Sequence, residues 1–231
     1  MVISRSTEAS SCINGKIIFG KSVLQMTNSI SILGVSFDYC LRFDAHLKEI
    51  AKKASTRVTL LRRIKHFLDA RGLQVLYNAQ VRPFLEYAAL SWMSASKTHL
   101  DLLDKVQRRA YHLIDSVRQD TQPALYTTLQ HRRDVAALTV MHKIQVQRVP
   151  HLQGLCLPRH RSLRPTRTVI SSEDAVDVPW SSTSQHQRTF LSRTARLWNS
   201  FVADARVQTL DTQQAKLMGH RWRLHHNFSL V

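Results

Sequence analysis

Leu47, Ile50, Ala54, Val58, Leu61 and Leu68 recur at the spacing of one helical face, behind an Asp44 that can cap a first turn. This pattern predicts a single amphipathic helix over residues 45–68. Lys48, Lys52, Arg62, Arg63 and His66 fall on the other side, with only Glu49 and Asp69 near them. A solvated face is the ordinary fate of such a stripe. Surface helices usually mix charge signs, however, so the shortage of acids argues for an anionic partner. Residues 98–117 repeat the plan, with Leu103, Val106, Ala110, Leu113 and Val117 on one side and Lys105, Arg108, Arg109 and His112 on the other. A rougher third helix is predicted over 125–148, ahead of Pro150. Six Gly and six Pro in 231 residues leave little material for a turn-rich sandwich and favour helices.

Residues 1–42 differ in composition. "MVIS", "KIIFG" and "SISILGVSFD" are β-type, and Asn14-Gly15 is a hairpin-turn signal. The expected organisation is strands over 1–42, a helical domain over 43–149, a Pro/Ser/Arg-rich linker over 150–190 and a small helical tail over 191–231. The length suits one large domain or two small ones. A sheet edge that begins at residue 1 looks truncated.

The balance of 33 Lys+Arg against 16 Asp+Glu gives +17, concentrated as +7 over residues 43–118 and +6 over 119–168. Such an excess repels itself unless a polyanion offsets it, so RNA or DNA is the first partner to expect. Cys12, Cys40 and Cys156 form no CxxC and are expected as free thiols in a reducing compartment. No apolar run approaches the length of a membrane span or a signal-peptide core, which points to an intracellular protein without a membrane partner.

Motifs for chemistry are sparse. Two-metal phosphoryl transfer needs clustered carboxylates, and the only adjacent pair here is Glu173-Asp174 in a Ser-rich loop. His151, Cys156 and His160 could supply three zinc ligands, but no fourth is evident and their spacing fits no standard zinc knuckle. His225 and His226 are adjacent, which points their rings apart. In "GLQVLYNAQVRPFLEYAALSW", residues 72–92, Leu73, Leu76, Gln80 and Phe84 share a helical face, and Pro83 should break the helix after Val81. Glu86 lacks a neighbouring His or carboxylate and is better placed to pair with a cation, Arg82 being one turn away. Arg82, Pro83, Glu86, Tyr87 and Trp92 are therefore read as structural.

Taken in order, "SISILGVSFD", "RFDAHLKEIAKKASTRVTLLRRI", "GLQVLYNAQVRPFLEYAALSW" and "HLDLLDKVQRRAYHLI" resemble the C-terminal part of a non-LTR (LINE-type) retrotransposon reverse transcriptase of the jockey-like or CR1-like kind. "HRRDVAALTVMHKI", "RTARLWNSF" and the last helix are similar to its distal tail, so the resemblance spans about residues 30–231. "MVISR" is similar to the strand after that family's palm Lys-Thr motif. The resemblance implies a mainly α fold, with a helical thumb-like bundle behind a short N-terminal β-hairpin or strand remnant of a polymerase palm. It implies that Leu33, Gly34, Val35 and Asp38 border the primer terminus, and that the basic helix from His46 to Lys65 holds template–primer duplex.

The family's Mg²⁺-binding Asp and its Tyr/Phe-Ala-Asp-Asp motif have no counterpart in these residues. The Mg²⁺ of the intact family enzyme is thus not expected to bind here, and neither a cofactor nor polymerase activity is expected of this chain alone. The resulting expectation is a truncated, catalytically inactive reverse transcriptase fragment in the nucleus or cytoplasm. Lys48, Lys52, Lys53, Arg57, Arg62, Arg63, Lys105, Arg108 and Arg109 would contact nucleic-acid phosphates. A further partner would be the polymerase portion absent from the sequence. The rival expectation is a structural relic or gene-model fragment with no ligand.

Overall fold

A computed structural model describes residues 1–4, 8–118, 126–160 and 172–226, and it is mainly helical with two small N-terminal hairpins. The chain divides into two compact units, Met1–Phe84 with Ala95–Leu113, and Leu85–Ser94 with Ile114–Val231. These units cut across the expected boundaries at 42, 149 and 190, because packing joins segments that composition had separated.

In the first unit, α1 (Ala9–Ile13) precedes β1 (Ile18–Phe19), which pairs antiparallel with β2 (Ser22–Val23). Likewise β3 (Ser29–Ile32) pairs antiparallel with β4 (Val35–Asp38), in the register Ile32 opposite Val35. Met1–Ser4 form no strand. Asn14-Gly15 closes α1 instead of a hairpin, and the hairpin reversals fall at Gly20-Lys21 and Leu33-Gly34. Leu33 (φ 47°) and Gly34 (φ 80°) both adopt the positive φ that a two-residue type I′ turn requires.

Helix α2 (Asp44–Ile64) buries His46, Leu47, Ile50, Ala54, Val58 and Leu61, the stripe expected from periodicity. The residue preceding it is Phe43, with φ 61°, so Asp44 sits in the first turn and is not the cap. The helix also stops short of residue 68, giving way to a 3₁₀ turn over Lys65–Phe67 and an extended Leu68. The reason lies downstream. Asp69 caps α3 (Ala70–Leu76) by accepting the Gly72 N–H at 2.7 Å, and a capping residue must itself leave helical geometry.

A π turn over Tyr77–Val81 then leads into α4 (Arg82–Glu86), α5 (Ala89–Trp92) and α6 (Lys97–Asp115). The wide turn sits immediately ahead of Pro83, whose ring would clash with a regular preceding turn. Its extra residue shifts the face. Of the expected face Leu73 is buried, but Tyr77, Val81 and Leu85 are the buried positions that follow it, while Leu76 and Phe84 are half-buried and Gln80 is exposed. Tyr77 packs on Tyr111 with ring centroids 5.1 Å apart, and Gln107 of α6 donates to the Tyr111 hydroxyl at 2.8 Å.

The second unit is built on α7 (Leu129–Gln145), α8 (Ser184–Gln187), α9 (Phe190–Asp204) and α10 (Thr212–His225). Its core gathers Leu138, Met141, Ile144, Val176, Trp198, Phe201 and Trp222. Part of the expected linker therefore belongs to the core. Asn199 exchanges two 2.8 Å hydrogen bonds with the Val176 backbone, and the Trp198 indole donates to the Asp174 carbonyl at 2.9 Å. The rest of that segment, residues 161–171, lies outside the described residues.

Charge is also buried in this unit. The carboxylate of Asp134 has no exposure and pairs with Arg193 at 2.6 Å and Arg223 at 2.9 Å, tying α7 to α9 and α10. Glu86 pairs with Arg132 of α7 at 2.6 Å, a partner 46 positions away. Trp92 is fully buried and donates to the Tyr87 carbonyl at 3.0 Å, whereas the Tyr87 side chain and Pro83 are exposed. Among the described residues no helix is long and apolar enough to cross a membrane.

Asp134→Ala would remove the carboxylate shared by Arg193 and Arg223, and loss of one partner from a buried pair costs about 3–5 kcal/mol. The expected result is an unfolding free energy, extrapolated from urea, lowered by that amount for the second unit, with a lower midpoint at unchanged slope. An unchanged midpoint would show that Asp134 does not hold these helices.

The pH dependence has a definite sign. Burial is the main cause that lowers the pKa of His46, His131 and His142 below the ordinary 6.5. As pH falls through 6.5 the unfolded imidazoles bind protons before the folded ones, so stability falls until the folded pKa values are reached. Melting at pH 7.5 and 5.5 checks this, with the lower midpoint expected at pH 5.5 and a smaller difference in His142→Leu.

Candidate nucleic-acid interface

The position of α2 is set by the hairpin before it. Both oxygens of the Asp38 carboxylate are used, Oδ1 accepting the backbone N–H groups of Cys40 (3.0 Å) and Arg42 (3.1 Å), and Oδ2 that of Phe43 (2.7 Å). Two residues of this connection, Leu41 (φ 53°) and Phe43 (φ 61°), are left-handed, a backbone that needs such outside support. At the other end of β4, His46 of α2 accepts the Ser36 N–H through Nδ1 at 3.3 Å. Burial keeps this imidazole neutral, so Nδ1 stays available as an acceptor.

Within the same unit, α2 and α6 line a groove of about 880 Å³. Lys48, Lys52 and Ser55 face it from α2, and Lys105, Arg108, Arg109 and His112 from α6. Ala51, Leu102 and Val106 supply apolar lining between the cations. No carboxylate is among the lining residues. The guanidinium of Arg109 donates to the neutral Ser55 Oγ at 2.6 Å, which orients it across the groove without cancelling its charge. The arrangement presents five permanent cations and one His to whatever enters.

The remaining candidate residues lie elsewhere. Lys53 pairs with Glu49 at 2.7 Å, both well exposed, a pair of small energetic weight. Arg57 turns toward the π turn, donating to Gln80 Oε1 at 2.7 Å with its guanidinium 5.1 Å from the Phe84 ring centroid. Arg62 and Arg63 are exposed near the C-terminal end of α2, beyond the groove. Leu33 and Gly34 form the hairpin tip, where Leu33 is 86% exposed, while Val35 is buried at the base of that turn. Asp38 is committed to backbone amides.

The possible zinc ligands do not meet. Cys156 lies 3.5 Å from Gln145 Oε1, and His160 Nδ1 is 2.7 Å from Asp177, and among the described residues no three such side chains cluster. Asp174, of the adjacent acidic pair, lies 3.8 Å from Arg159 and serves the core through its carbonyl. His226 stacks on Trp222 at 4.9 Å between ring centroids. Sequence reasoning missed Ser55 and Leu102 as groove residues. Ser55 falls three residues after Lys52 on the same helical side, a spacing that could have found it. Comparison with family models, curated proteins and solved structures finds no match for this chain.

Asp38→Ala removes the acceptor for three backbone amides ahead of α2. A lost cap of this kind costs roughly 1–3 kcal/mol, expected as a lowered melting midpoint for the first unit. An unshifted melt would show that the connection is held by something other than this carboxylate.

Proposed function

We propose that this chain is the thumb-and-tail portion of a non-LTR retrotransposon reverse transcriptase, and that its basic helices grip the phosphate backbone of template–primer duplex. The observation that carries the reading is the α2–α6 groove, where two basic helix faces meet without an intervening carboxylate. Lysine and arginine on apolar lining suit a polyanion, since phosphate contacts supply affinity and orientation without reading sequence. Base specificity is accordingly low, and an RNA–DNA hybrid is the ligand to test first.

No polymerisation step is assigned to these residues. Such a step needs carboxylates clustered around divalent cations, and in this reading the portion that carries them is a protein partner of the chain. The exposure of Ile18, Phe19 and Leu33 in the first unit is in keeping with a partner surface there. The setting proposed is intracellular, in the nucleus or cytoplasm.

Fluorescence anisotropy with a labelled hybrid tests the reading. Five groove cations predict a slope of log K against log salt of about −4.5, or roughly 500-fold weaker binding at 200 than at 50 mM. Lys105→Glu with Arg109→Glu should weaken binding by about tenfold or more, and Arg62→Glu with Arg63→Glu by less. A salt-independent dissociation constant, or a Lys105→Glu with Arg109→Glu variant that binds like the wild type, would remove the groove from the function.

A further inference from the structure

Beyond the groove, α2 ends in an unusual surface. The 3₁₀ turn Lys65–Phe67 leaves the Phe67 ring 84% exposed, in a stretch where Arg62, Arg63, His66 and Arg71 are exposed too. The one carboxylate of this corner, Asp69, is turned onto the Gly72 amide as the cap of α3. An aromatic ring kept out of the core costs hydrophobic stabilisation that a buried position would have supplied. Its place is nonetheless well defined, between a long helix and a capped one, with Leu68 donating back to the Lys65 carbonyl.

We propose that Phe67 is a stacking platform for an unpaired base of the same nucleic acid whose backbone lies in the α2–α6 groove. This rests on the reading of that groove given above. Proteins that hold single strands combine basic side chains with exposed aromatic faces, since every base offers a π-face and every nucleotide a phosphate. Phe67 among Arg62, Arg63 and Arg71 has both parts. From Ser55 to Phe67 the rise of α2 amounts to about 18 Å. That is roughly five nucleotides of one strand, so a strand held in the groove that continues unpaired toward the end of α2 is long enough to reach the ring within a few nucleotides. Ile64 and Leu60, also exposed one and two turns earlier, extend the apolar surface. A purely apolar contact with a protein is therefore the outcome to distinguish.

The test compares a short blunt RNA–DNA hybrid with the same hybrid bearing a single-stranded extension that contains a fluorescent adenine analogue, quenched on stacking. The wild-type chain should bind the extended probe about tenfold more tightly than the blunt one and quench the analogue. Phe67→Ala should abolish both the preference and the quenching while leaving blunt-hybrid affinity intact, and Phe67→Trp should preserve them. Phe67→Leu should behave like the alanine variant. If it keeps the preference, the side chain acts by apolar contact and the stacking proposal is overturned.

Lys105→Glu with Arg109→Glu separates the two levels, because it should weaken both probes. Salt-sensitive binding of the blunt hybrid with no gain from the extension would sink the platform and leave the groove standing. Binding of neither probe would sink both.

Discussion

The apolar seam of α2 governs the first unit. Leu47, Ala54 and Leu61 are buried along almost its whole length, and no rotation of the helix could hide them without turning Lys48, Lys52 and Arg62 inward. Burying an unpaired ammonium or guanidinium costs several kcal/mol, more than any single apolar contact returns, so the seam and the basic face fix each other's direction. The same condition holds on α6, where Leu103, Val106 and Ala110 are buried and Lys105, Arg108 and Arg109 are exposed. The basic groove is thus a by-product of core formation on two helices that share one unit. What distinguishes it from a mixed-charge surface is the missing counter-charge along its lining.

The second unit treats its cations in the opposite way. Arg193 and Arg223 converge on the buried Asp134, and Arg132 meets Glu86. These guanidinium groups are engaged by carboxylates inside the protein, Glu86 balancing Arg132 and Asp134 offsetting one of the two charges it receives. The desolvation involved makes the network a weak source of net stability, but each member becomes costly to remove once the others are in place. Arginine therefore has two uses in this chain, structural where a carboxylate neutralises it and available where a neutral group such as Ser55 merely orients it.

How much of this the sequence discloses depends on the range of the interaction. Periodicity located α2 and α6 to within a few residues because side chains three and four apart report the same face. It could not see the π turn at Tyr77–Val81, since one inserted residue moves every later position by slightly more than a right angle. The rule linking Asn-Gly to hairpins failed at Asn14-Gly15 and was satisfied instead by Leu33-Gly34, where cross-strand pairing stabilises a leucine in a conformation it disfavours by itself. Contacts across many residues were invisible. Asp134 finds partners 59 and 89 positions away, and Val176 is drawn into the core by Asn199, although its own neighbourhood of Ser, Glu and Asp reads as loop. Of the candidate cations, Lys48, Lys52, Lys105, Arg108 and Arg109 lie on the groove-lining faces of their helices, opposite the buried seams that periodicity located. Periodicity could not tell that Lys53 and Arg57 turn to Glu49 and Gln80.

The concentration of positive charge has a thermodynamic consequence for both units. A chain at +17 is destabilised by its own field, and the groove adds to that field because its cations are gathered without acids. Any polyanion that binds the folded chain in preference to the unfolded one removes part of this repulsion and stabilises the fold by mass action at the same time. Binding and folding then draw on the same electrostatic energy, and salt acts on them in opposite directions. Added salt screens the repulsion within the free chain, raising its stability, and would weaken the proposed attraction of the groove for phosphate. A merely solvated basic surface would show only the first of these effects, whereas a surface arranged for a backbone must show both.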